Sequence, residues 1–220
     1  MADRGNEPVV LIGLGRFGAA VALELTRRGV EVLAIDSSAK RVQGMAGRLT
    51  QVVTADCTDI DALRQLGVPE FYRGVVAIGS DVEASILVTS LLVELEVDDV
   101  WAKAISDHHG RILRRVGAHH VVYPEFEMGE RVAHLVSGRM LDYMQVDEDF
   151  ALAKVHPPRE AVGIPLGESK LRSKHGITVV AVKRPDGSFT YAGFDTVLTY
   201  DDIILVVGRE SDIERLVELA

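Results

Sequence analysis

Short apolar runs closed by glycine or a polar turn alternate with helix-spaced segments along the first two thirds of the chain. Residues 9–12, Val-Val-Leu-Ile, form a continuous apolar run ended by Gly13, as a strand buried on both faces does. Residues 17–28 follow with apolar positions three and four apart, the spacing of a helix with one buried face. The alternation recurs, with strands predicted at 31–35, 51–54, 74–78, 100–105 and 120–123 and helices at 38–46, 60–66, 82–95 and 108–116. Six strands separated by helices require right-handed crossovers, so the fold class predicted is α/β with a doubly wound parallel sheet.

Pro124 then opens a predicted amphipathic helix to about residue 141, with Val132, Leu135, Val136 and Met140 on one stripe. After it the grammar changes. Residues 150–155 alternate like a half-buried strand, 166–175 suit one short helix, and 177–183 read as a strand before the Pro185-Asp186-Gly187 turn. A strand at 203–207 and a helix from Ser211 complete a small α+β module. The predicted domains are 7–143 and 144–220, with 143–147 as their join.

Composition narrows the function classes. The chain has 220 residues, 24 basic and 33 acidic, for a formal net charge of −9. Such a surface repels phosphate backbones, which argues against nucleic acid as a partner. One cysteine, Cys57, allows no intramolecular disulfide, and no Cys/His spacing suits zinc. With no signal-peptide pattern and no apolar run long enough to span a bilayer, a cytoplasmic location is expected. The histidines, two adjacent pairs among them, read as surface or packing residues, and Met128, Met140 and Met144 as core filling.

Chemistry concentrates at Gly13-Leu14-Gly15-Arg16-Phe17-Gly18, a Gly-x-Gly-x-x-Gly pattern between a predicted strand and helix. Gly13 permits the tight turn, Gly15 lets a pyrophosphate approach the backbone, and Gly18 lets helix pack on strand. Asp36, at the end of the second strand, is placed to accept hydrogen bonds from a ribose and to repel a 2′-phosphate. Together these predict an adenosine nucleotide in a Rossmann cleft and disfavour NADP. Arg16 adds a guanidinium fork for a terminal phosphate, making ATP or ADP as credible as NAD. Asp56 and Cys57 follow the third strand, where side chains flank adenine; an acidic cap region for the next helix, with Asp59 as the cap, is the alternative. No nucleophile elbow or His-Glu-x-x-His segment is present, so no catalytic residue is assigned.

Those motifs, with Ala77-Ile78-Gly79, Trp101-Ala102-Lys103-Ala104 and Pro124-Glu125-Phe126-Glu127-Met128-Gly129 ahead of a small α+β module, resemble the RCK (KTN) family. These are KtrA/TrkA-type regulatory subunits of bacterial potassium transporters, with an RCK_N domain followed by an RCK_C (TrkA_C) domain. The resemblance implies a homodimer assembling into an octameric ring under a KtrB/TrkH-type membrane translocator, peripheral at the inner face of the membrane. ATP and ADP exchange would gate that translocator. It further implies that Arg16 reaches a γ-phosphate, that Ala77, Ile78, Gly79 and Lys103 form the floor and rim of the cleft, and that Glu125 helps hold Mg²⁺ or another cation beside ATP. In the second module, Leu166-Gly167-Glu168-Ser169-Lys170-Leu171-Arg172 and the ending Asp201 to Gly208 carry the likeness. There the resemblance implies cyclic di-AMP near Ile164, Arg172 and His175, against a module that only dimerises. The competing class is a small NAD-dependent oxidoreductase, binding NAD or NADH, and a third reading is an RCK regulator of another cation transporter or antiporter.

Overall fold

The computed structural model describes residues 7–137 and 140–219. The backbone divides into two compact units after Glu125. Within the first, β1 (Val9–Ile12), β2 (Val32–Asp36), β3 (Gln51–Thr54), β4 (Arg73–Val76), β5 (Asp99–Lys103) and β6 (His120–Val122) form one parallel sheet in the order β3-β2-β1-β4-β5-β6. All four residues of β1 and all five of β2 are buried, which explains why these strands read as unbroken apolar runs. The helices are α1 (Arg16–Arg27), α2 (Ala39–Met45), α3 (Ile60–Gln65), α4 (Val82–Glu94) and α5 (Asp107–Arg115). Asp59 caps α3 by accepting from the Asp61 N–H at 2.9 Å, and Asp81 caps α4 in the same way from Ala84 at 3.0 Å.

Strand order reverses at β1, whose neighbours are β2 and β4, so the loops after β1 and β4 diverge at the carboxyl edge of the sheet. An open α/β sheet leaves its ligand crevice at this point. Beneath it, Val10, Ile12, Ile35, Leu63, Val76, Val88 and Leu92 form a buried core that holds the edge in place. Among the described residues no helix is long and apolar enough to cross a membrane.

The second unit holds a five-stranded sheet in the order β10-β9-β11-β8-β7, built from β7 (Asp142–Asp147), β8 (Phe150–Val155), β9 (Thr178–Lys183), β10 (Phe189–Tyr191) and β11 (Ile203–Arg209). All its pairings are antiparallel. Helices α6 (Pro124–Val136), α7 (Leu166–Ser169), α8 (Leu171–His175) and α9 (Glu210–Val217) complete the chain order.

Five details differ from the sequence expectation. The predicted helix to 141 ends as α6 at Val136; its positions 138 and 139 lie outside the described residues, and the Leu141 N–H donates to the Lys154 carbonyl at 2.8 Å. The join predicted at 143–147 is strand β7, paired with β8. The helix predicted over 166–175 is two, because Lys170 takes a left-handed conformation at φ 58°. Of the three methionines expected in the core only Met140 is buried, while Met128 and Met144 are exposed. Val132 and Val136, on the stripe of α6, are exposed as well.

Candidate functional site

The phosphate-loop geometry follows from its glycines. Gly13 sits at φ +100°, and a Cβ there would press on the Ala77 backbone at 3.0 Å. The Gly13 N–H donates to the Ile35 carbonyl at 2.8 Å, and the Ala77 N–H to the Ile12 carbonyl at 2.7 Å, so the turn is tied to the strands on both sides. Gly18, buried in the first turn of α1, lies so close that a Cβ would run into the Gly13 carbonyl oxygen. Gly15 is the N-cap of α1; it offers no side-chain partner to the first helical N–H groups, and no acidic residue stands in the first turn. The positive end of α1 therefore opens to the cleft without a resident anion from its own first turn.

Asp36 is nearly inaccessible, at 4% exposure. Its Oδ2 accepts from the Leu14 N–H at 2.7 Å and from Arg41 Nη1 at 3.3 Å, and its Oδ1 accepts from the Ser38 N–H at 2.7 Å. The carboxylate thus fastens the phosphate loop to the end of β2, a structural task the sequence reading missed along with Arg41. A carboxylate oxygen can accept two hydrogen bonds, so Oδ1 retains capacity for a ribose hydroxyl.

Across the cleft, Lys103 at the end of β5 is held on three sides. Its Nζ lies 2.5 Å from Glu125 Oε1 and 5.8 Å from the Phe17 ring centroid, and a Cβ on Gly79 would stand 3.0 Å from it. The lysine side chain is 9% exposed and the glutamate side chain 63%. The Lys103 bond, with smaller help from the Arg16 charge, holds the Glu125 carboxyl below its usual range. Because the folded value is lowered, the pair stabilises above the ordinary value of 4.5 and loses its effect as pH falls through the lowered one. Wild type is therefore expected to exceed Glu125→Gln by about 1 kcal/mol or less at neutral pH. Thermal melts at descending pH should bring the two together in acid.

One cleft of about 940 Å³ gathers Gly13, Gly15, Arg16, Phe17, Asp36, Asp56, Cys57, Ala77, Ile78, Gly79, Lys103 and Glu125, together with Ser38, Arg41, Thr58, Ser80 and Asp81. Gly18 stands behind it as a packing residue. Asp56 accepts from the Thr58 N–H and hydroxyl at 2.9 and 2.7 Å, which holds its carboxyl below the usual range. Burial, aided by the Asp56 and Asp36 charges, pushes the Cys57 thiol up to about 12, so it stays protonated and is no nucleophile at neutral pH.

Glu125 was expected to help hold a cation. One of its oxygens is engaged by Lys103, and among the described residues the one cluster of three or more potential metal-binding side chains lies elsewhere. These residues fit a cation beside a nucleotide as a single ligand, with phosphate oxygens and water as the remainder.

In the second unit, Arg172 lines a cavity of about 660 Å³ with Lys170, Thr178 and Phe194. Its Nε donates to the Thr178 hydroxyl at 2.9 Å. His175 instead meets Glu160 at 2.5 Å, and neither it nor Ile164 lines that cavity.

Family models of the TrkA-N domain and the TrkA-C domain match residues 9–124 and 150–220. The chain belongs to the RCK (KTN) family. It is 37% identical over 206 residues to the Ktr system potassium uptake protein C of Bacillus subtilis (strain 168), covering 93% of each chain. The GsuK RCK domain shares the RCK fold at TM-score 0.66 and 20% identity, over 100% of this chain and 48% of that one. A second GsuK structure, bound to ADP, aligns at TM-score 0.54 and 25% identity over 63% of this chain and 36% of that one. The TrkA-N match ends one residue before Glu125, so it contains the whole RCK phosphate loop, Asp36 and Lys103.

Proposed function

We propose that this RCK chain is a nucleotide-responsive regulatory subunit of a bacterial potassium uptake system rather than an enzyme. An adenosine nucleotide, ATP or ADP, occupies the cleft of the first unit, and the difference between them sets the state of a membrane potassium translocator. The single observation that carries this reading is the convergence of the open α1 N-terminus, Arg16, Lys103 and Glu125 on one cleft. Those groups offer positive charge to a phosphate chain and one carboxylate to a cation that accompanies it. The uptake name of the Bacillus subtilis relative and the ADP in the GsuK structure support the same reading.

In this reading the protein is cytoplasmic and docks at the inner membrane face through its partner. Homodimers build an octameric ring, a proposal supported by the exposed apolar residues Phe126, Met128, Val132 and Val136 on α6. Arg16 senses the γ-phosphate and Glu125 holds the Mg²⁺ or other cation, so ATP and ADP differ in affinity for two states of the assembly. Lys103 exchanges Glu125 for a phosphate oxygen, which frees the carboxylate for the cation. The Arg172 cavity is proposed to take the phosphates of cyclic di-AMP, while Ile164 and His175, which the resemblance also names, lie outside its lining. The domain limits proposed from sequence, 7–143 and 144–220, would place all of α6 with the nucleotide unit.

Calorimetric titration of the purified protein with ATP, ADP, NAD and NADH, with and without Mg²⁺, tests the reading. Preference for ATP or ADP is the expected result, and exclusive binding of NAD or NADH would overturn the ATP switch. Arg16→Ala is expected to weaken ATP at least about tenfold more than ADP, the loss of one charge-assisted contact to the terminal phosphate. Equal losses for both nucleotides would remove the γ-phosphate role.

A further inference from the structure

Far along the chain from the cleft, three metal-binding side chains meet inside the second unit. His134 comes from the last turn of α6, and Glu210 and Glu214 from successive turns of α9; their ligand atoms all lie within 4.8 Å of one another. His134 Nε2 stands 3.2 Å from Glu210 Oε1. Ligands about 2.1 Å from a common ion are separated by about 3.0 to 3.4 Å in octahedral or tetrahedral sets, so this pair is already at bridging distance.

Two further features set this group apart from an ordinary surface ion pair. The imidazole is stacked on the ring of the buried Tyr143, centroids 4.0 Å apart, which holds its orientation. Such outer partners fix the orientation of metal ligands. A cavity of about 470 Å³, lined by His134, Ser137, Met140 and Glu214, opens beside the group and gives an ion and its waters access. Moreover, carboxylates four residues apart on a helix repel, and Glu214 lies beyond the first turn, where the helix dipole would favour it. A cation between them offsets that repulsion.

We propose that His134, Glu210 and Glu214 form a binding site for one first-row divalent cation, clamping the last turn of α6 to α9. One imidazole with two carboxylates suits zinc, iron, cobalt or manganese better than magnesium or calcium, which prefer all-oxygen sets. The site is distinct from the cation beside the nucleotide, where only Glu125 contributes.

The test is titration of the chelator-treated full chain with ZnCl₂ by calorimetry and with CoCl₂ by visible absorption. One ion per chain is expected, with cobalt d–d bands, and Glu214→Gln and His134→Gln should each weaken binding at least about tenfold. Glu214 is exposed, so its variant should fold and decides the matter if the His134 variant does not; circular dichroism checks this. Absence of stoichiometric zinc binding overturns the proposal. So does zinc binding of equal strength in the folded Glu214→Gln protein, which would assign the ion to another histidine such as His175 beside Glu160.

Discussion

Gly18→Ala is expected to cost the first unit about 3 kcal/mol and to abolish nucleotide binding by calorimetry. The added methyl group would meet the backbone carbonyl of Gly13, which cannot rotate aside as a side chain can. To make room, α1 must move off β1, and the phosphate loop loses the turn that aims its N–H groups. The companion substitution isolates the ligand effect. At Gly15 a Cβ would meet nothing within 4 Å, and the residue lines the cleft. Gly15→Ala is therefore expected to cost less than about 1 kcal/mol, the difference between glycine and alanine at an N-cap, while still weakening nucleotide binding strongly. If both variants lowered stability equally, or if Gly15→Ala bound nucleotide normally, the phosphate-loop assignment would fail.

The second large effect belongs to the other unit. Asp202 is fully buried and receives Arg184 Nη1 at 2.6 Å and the Thr199 N–H at 2.7 Å. Arg184→Ala would leave the buried Asp202 carboxylate without its guanidinium; because the Arg184 side chain is itself 30% exposed, the loss is expected below the roughly 3 to 5 kcal/mol of a fully buried pair, at about 2 to 3 kcal/mol. Denaturant unfolding followed by circular dichroism should show this loss, while nucleotide titration stays at the wild-type value because the pair lies outside the nucleotide unit. Arg184→Lys should recover part of the stability, since it restores the charge without the guanidinium geometry. A loss under about 1 kcal/mol in Arg184→Ala would mean that water replaces the guanidinium.

The strands of the first unit were legible to within about two residues, because a parallel strand covered on both faces must be apolar throughout and its glycine turns mark its ends. Strand β7 was not. Asp142, Gln145 and Asp147 give it the polarity of a linker, and Tyr143 is its one fully buried residue. Its existence depends on pairing with β8, a partner that composition does not announce. The break at Lys170 was hidden for a similar reason. Lysine has no preference for a left-handed conformation, and here the surrounding α7 and α8 impose it.

At the candidate site, the sequence pointed to residues that line one cleft but not to the couplings between them. The glycine spacing pointed to Gly13 and Gly18, where a positive φ at the first and close backbone approach at both leave no room for a Cβ, and to Gly15, which has the space but lines the cleft. Asp36 was singled out for its place at a strand end, yet its bond from the Leu14 N–H joins segments that only the sheet brings together. Lys103 and Glu125 are 22 positions apart, and His134 and Glu210 meet from different helices. By itself, then, the sequence determined the buried strands, their alternation with helices and the phosphate turn, since these arise from hydrophobic period and backbone sterics over a few residues. Tertiary structure alone decided which carboxylate neutralises which cation, because charge pairing is set by distances between segments that no local pattern encodes.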